Sequence, residues 1–124
     1  MSRTFRDSLE SDLATFFSSD EFAREFTLSR GVTETSGVAA VTATRVYERV
    51  DSRGNLTAIE AVDFDLPASS YLIDGEQVAP AAGDRFGDGS SVWEVFPVLR
   101  RQCFEALDGD GLVIRVHTQR VVNG

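Results

Sequence analysis

Cys103 and His117 occur once each in the chain, and a thiol beside an imidazole can form a nucleophile with its base. The two flank the last hairpin of the sequence, so cross-strand pairing can bring them together. The pattern shows no third group to orient the base and no oxyanion signature. His117 falls on the outward side of its strand, where an imidazole is ordinarily solvated or part of an interface. Asp63 and Asp65 lie two apart on one strand and share a face. Paired carboxylates can do acid–base work, but with no pocket partner in the pattern they are expected on a solvated face. Asp108-Gly109-Asp110-Gly111 has a superficial likeness to a calcium loop. An EF-hand needs ligands spread through its loop, a closing Glu and a following helix; here Leu112 starts a strand, so a hairpin turn is expected. Gly87-Asp88-Gly89-Ser90 is a turn of the same kind. Arg100-Arg101 is the sole basic doublet, able to touch a phosphate or to pair with an acidic neighbour, but two charges make no nucleic-acid footprint. Catalytic, metal and cofactor signatures are therefore all missing from the sequence.

The elements around these residues are mostly strands. Phe5, Leu9, Leu13 and Phe16 recur at helical spacing, with Phe17 alongside, and Thr4 with Asp7 makes a variant capping box. This predicts an amphipathic helix over residues 4–17 and a short second helix over 20–25. Thr27 to Gly37 is polar and punctuated by glycines, and reads as a strand fragment and a flexible loop. Val38–Val50 and Leu56–Leu66 alternate about the turn cluster Asp51–Asn55, which predicts a long hairpin. Tyr71–Ile73 is a short strand closed by Asp74-Gly75, followed by a loop through Pro80. Arg85-Phe86 pairs with Ser91–Phe96, and Gln102–Leu107 with Leu112–Arg120. Trp93 is expected in the core or at its rim. The fold class is mainly β (α+β): a small antiparallel β-barrel or sandwich with an N-terminal amphipathic helix. Residues 1–26 form a helical arm and 27–124 the β domain, within a single structural domain.

The chain has 124 residues, 42% hydrophobic and 26% charged, enough for one core without disulfide or metal staples. Its nine Phe must be mostly core or interface. The formal charge of −8 argues against a nucleic-acid binder, which needs a basic footprint. A single cysteine excludes an internal disulfide, consistent with the reducing side of a membrane. No segment has the apolar length of a membrane span.

Certain motifs follow one another in a suggestive order. An N-terminal F-x3-L-x3-L-x2-FF stripe precedes Asp20–Ala23 (DEFA). Then come P-x-x-G-D (Pro80–Asp84), W-x-V (Trp93–Val95) and R-V-H-T (Arg115–Thr118). This resembles the small head–tail joining proteins of tailed bacteriophages and prophages, including the head–tail attachment protein of lambda-like phages. The resemblance implies a non-enzymatic virion structural protein at the head–tail junction, assembled in the host cytoplasm. It implies a homo-oligomeric ring of six or twelve copies beneath the portal, with portal or adaptor proteins on the head side. The tail tube or tail terminator would lie on the other side, and DNA would pass through unbound; no membrane is involved. Gly83-Asp84 would open a strand, Trp93 would pack near it, and Arg115–Thr118 would end the last strand. The extended central hairpin departs from that pattern.

On this reading the site residues are contacts rather than catalysts. Phe5, Leu9, Leu13 and Phe16 anchor the helix to its own core or to a neighbour. Arg100, Arg101, Arg115 and His117 are candidates for subunit or partner contact, as are the loops Thr33–Gly37 and Asp74–Ala82. Alternatives are another neck or tail-end component, such as an adaptor or tail terminator, and a free cytoplasmic small-molecule-binding β-barrel. The last would require a concave apolar pocket lined by Phe and Trp.

Overall fold

Alternation of apolar and polar residues builds most of the described residues into antiparallel strands. In the computed structural model the described residues are 23–100 and 102–122. The strands are β1 (Arg24–Arg30), β2 (Thr33–Val50), β3 (Leu56–Pro67), β4 (Leu72–Ile73) and β5 (Glu76–Gln77). After them come β6 (Arg85–Gly87), β7 (Val92–Val95), β8 (Phe104–Ala106) and β9 (Val113–Arg120). Short 3₁₀ turns lie at Ala68–Ser70 and Val98–Arg100. No helix among the described residues is long and apolar enough to cross a membrane.

The sheet runs in the order β3-β2-β1-β6-β7-β9-β8, and β9 also pairs with β3. Six strands thus close on themselves in a ring, with β8 attached to β9 and the β4–β5 hairpin separate. β9 pairs with β3 along one edge, while its other edge pairs with β8 and then β7. The interior is filled by aromatic rings. Phe64 stacks on Phe86 with centroids 4.3 Å apart, and Phe26 meets Phe64 edge-on at 4.8 Å. Trp93 packs edge-on against Phe26 and Phe64 from the rim of this cluster. Such pairs add specific geometry to the burial that drives folding.

The predicted hairpins are all present. Asp51 accepts backbone hydrogen bonds from Arg53 and Asn55 at the β2–β3 turn, Asp88 from Ser90 and Ser91 at the β6–β7 turn. Asp108 accepts from Val113 at the β8–β9 turn, so the Asp-Gly-Asp-Gly run is a hairpin turn. β6 starts at Arg85, directly after Gly83-Asp84. β9 does not end at Thr118 but continues to Arg120, because Gln119 and Arg120 still pair with β7.

Two sequence expectations change. The helix over 4–17 lies outside the described residues, and so does most of the second. At Arg24 and Glu25 the chain is already strand, since Phe26 and Leu28 alternate into the core and the backbone pairs with β2. The sequence periodicity there was too short to separate helix from strand. Thr27–Gly37 is not a flexible loop either. β1 runs to Arg30, turns at Gly31-Val32, and β2 begins at Thr33. The register slips between Phe26 and Leu28, and Gly37 has φ +72°. A β-bulge with glycine in the left-handed region therefore accounts for the glycine that read as a break.

Candidate functional site

β2, β3 and β9 present alternate polar residues on the side of the sheet opposite the aromatic core. β2 supplies Arg45 and Tyr47, β3 supplies Asp63 and Asp65, and β9 supplies Arg115 and His117. Antiparallel register sets Asp63 opposite His117 and Asp65 opposite Arg115. Equal spacing in both strands thus matches an acidic pair to a basic pair.

The contacts are direct. His117 Nδ1 lies 2.8 Å from Asp63 Oδ1. Arg45 Nη1 donates to Asp63 Oδ2 at 3.1 Å, and the Tyr47 hydroxyl donates to the same oxygen. Arg115 grips Asp65 with two hydrogen bonds, Nε to Oδ1 at 2.9 Å and Nη2 to Oδ2 at 3.0 Å. The Tyr47 and His117 rings meet edge-on at 5.1 Å. Asp63 is 0% exposed and His117 2%, which corrects the expectation of a solvated face. Burial opposes the charged form of Asp63, but hydrogen bonds from His117, Tyr47 and Arg45 outweigh it and hold its carboxyl below the usual range. Burial, then the hydrogen bond to Asp63, pushes the Tyr47 phenol up.

A second buried carboxylate sits in the Pro80–Asp84 motif. Asp84 receives Arg30 through Nε at 2.8 Å and Nη2 at 2.9 Å. The Tyr71 hydroxyl donates to it at 2.5 Å and the Ala81 backbone N–H at 3.0 Å. Arg30 also donates to the Ala79 carbonyl at 3.0 Å. Burial works against the Asp84 charge, yet Arg30 and Tyr71 hold its carboxyl below the ordinary range. Gly83, at φ +96°, donates to the Val95 carbonyl at 2.9 Å. The motif therefore ties β1, β6 and β7 to the loop after β5, and its Asp is the fastener.

What this chemistry can do follows from who is bonded to whom. The third group missing from the Cys103–His117 reading exists, since Asp63 orients the imidazole. The Tyr47 hydroxyl, however, spends its proton on Asp63. The Cys103 thiol donates to the Pro80 carbonyl at 3.4 Å, and burial pushes its pKa up, opposite to an activated nucleophile. Both carboxylate clusters pin strands together. A depression of about 400 Å³ among the described residues is lined by Ser90, Ser91, Val92, Arg120, Val121 and Val122, none of them Phe or Trp.

The anticipated contact residues are scattered. Phe5, Leu9, Leu13, Phe16 and Arg101 lie outside the described residues. The Arg100 backbone closes the Val98–Arg100 turn, which packs against β2 and β3. Arg115 and His117 come together in the Asp63–Asp65 network, with His117 buried. Thr33–Gly37 is the start of β2, and Asp74–Ala82 spans β5 and the loop before Gly83. Arg30, Arg45, Tyr47 and Tyr71 were missed. The legible signal was Asp-x-Asp on one strand and Arg-x-His on another, both on outward positions.

Among the described residues, the distal half of the β2–β3 hairpin is exposed. β1 pairs with β2 no further than Ala40, and β9 pairs with β3 no earlier than Val62. Beyond those points the two strands project as a ribbon carrying exposed Val46, Val50 and Leu56.

A family model described as phage head-tail joining protein matches residues 17–123. No curated protein gives a significant match.

Proposed function

The chain belongs to the phage head–tail joining protein family, and we propose that it serves as a neck subunit, several copies closing into a ring between the head and the tail. The family is one of structural, non-catalytic proteins. The family match over residues 17–123 carries the reading. A packed strand domain that projects an exposed ribbon supports it, since a ring subunit needs one surface to reach a different surface on its neighbour. The two buried carboxylate clusters give such a subunit a rigid frame. In this role the portal or an adaptor contacts one side and the tail tube or terminator the other. The net charge of −8 lets DNA pass without gripping its phosphates, and the closed ring helps retain the packaged genome. Arg100 and Arg101 serve as subunit contacts or face the channel. Arg115 and His117 act from within, holding β9 to β3.

The deciding experiment inactivates the gene and counts the protein in purified wild-type particles by quantitative mass spectrometry. DNA-filled heads and separate tails in the mutant, with about six or twelve copies per normal particle, are the expected result. Absence from intact particles overturns the proposal. Charge reversal at Arg100 and Arg101 is expected to lower the yield of joined particles; an unchanged yield removes them from the interface.

A further inference from the structure

The face of the ribbon that continues the core carries three large apolar residues with no cover among the described residues. Core positions Val38 and Ala40 on β2 and Phe64 on β3 are buried. Continuing along the same face by twos leads to Val46 and Val50 on β2, and to Leu56 on β3. These are 59%, 62% and 61% exposed. The register places Val50 against Leu56 and Val46 against Glu60, so Val50 and Leu56 pair at the tip while Glu48 and Glu60 flank Val46 on the same face. A two-stranded ribbon alone in water is marginal, and this one exposes the side that elsewhere makes the core.

The edge of the ribbon is open as well. From Val41 to Val50, β2 has β3 on one side and no strand on the other among the described residues. The chain direction then matters. β1 is antiparallel to β2 with Arg24 opposite Ala40. Followed backward from Arg24, the chain therefore heads past Ala40 toward the ribbon tip, along that open edge.

The residues that precede Arg24 include the stripe Phe5, Leu9, Leu13 and Phe16. At about 3.3 Å per residue, Val46 lies about 20 Å beyond Ala40 and Val50 about 33 Å. Residues 18–23 extended reach about 20 Å, and a helix over 4–17 adds about 21 Å. The lengths match. We propose that residues 4–17 of the same chain lie on the inner face of the ribbon, with their apolar stripe against Val46, Val50 and Leu56. The ribbon and the N-terminal segment then form one unit anchored to the strand ring at β1.

Paired cysteines test this in the full-length chain carrying Cys103→Ser. Leu13→Cys with Val46→Cys is expected to cross-link within one chain under mild oxidation. Leu13→Cys with Val32→Cys, at the opposite end of β2, is not. Cross-links between differently tagged copies in place of intrachain ones overturn the proposal, because a second copy then supplies the cover. Equal cross-linking to Val32→Cys overturns it too. A second measurement needs no cysteine. Leu9→Glu with Leu13→Glu is expected to speed amide hydrogen exchange in residues 44–50 and 56–60 by about tenfold or more, leaving Phe64 and Val116 unchanged. No change in the ribbon counts against the proposal.

Discussion

At the scale of single residues, two carboxylates hold this protein together. Asp84 is 2% exposed and satisfied by Arg30, Tyr71 and the Ala81 N–H. Removing it strands a half-buried guanidinium and a buried phenol. Asp84→Ala is therefore expected to cost about 3–5 kcal/mol in urea denaturation. Tyr71→Phe deletes one hydrogen bond to a charged group and is expected to cost about 1.5–3 kcal/mol. A loss under about 1 kcal/mol for Asp84→Ala would show that the cluster is incidental. The pH dependence has a definite sign. Both Asp63 and Asp84 have folded-state pKa values below their ordinary value. Their stabilisation is complete above the unfolded carboxylate pKa, about 3.9, and is lost as pH falls through the lower folded values. Urea midpoints measured from about pH 6 down to about pH 2.5 should fall on the acid side, and Asp63→Asn should flatten that fall. An unaltered slope would mean that Asp63 does not bind its proton differently in the two states.

At the scale of elements, the turns divide into those that need glycine and those that merely contain it. In the β8–β9 turn, Gly111 has φ +70°, whereas Gly109 is outside the left-handed region and a Cβ there meets nothing within 4 Å. Gly111→Ala is expected to cost about 1 kcal/mol, and Gly109→Ala to change stability by less than about 0.5 kcal/mol. Thermal denaturation of the two variants side by side checks this, and equal losses would contradict the turn geometry. The same logic explains how Gly37 misled the sequence reading. A glycine within a polar stretch looks like a break, but a bulge within a strand uses it equally well. The hairpins were legible because Asp51, Asp88 and Asp108 each precede glycine-bearing turns, where their side chains accept backbone N–H groups. The short helix assigned over residues 20–25 failed at its end. Phe22 and Phe26 fit a helical period, while Phe26 and Leu28 fit a strand period, and only pairing to β2 decided between them.

At the scale of the whole molecule, charge and closure set what the surface can do. Twenty acidic residues against twelve basic ones, with many of the arginines paired to carboxylates, leave little to displace counterions from DNA. The protein is expected not to retard duplex DNA in a gel at physiological salt; tight retardation would replace passive passage with binding. The sequence by itself determined the β-rich class, the three hairpins of consecutive strands and the turn chemistry, because period-two alternation and Asp/Gly turns act over a few residues. Its ordered motifs also pointed to the family. The tertiary structure decided the closure of β9 onto β3, the partner switch of β9 from β8 to β7, and the burial of Asp63 and His117. Those depend on which strands become neighbours across 50 or so residues of chain, as Asp63 and His117 do. Local alternation says which face a side chain takes; only the pairing of distant strands says what covers that face.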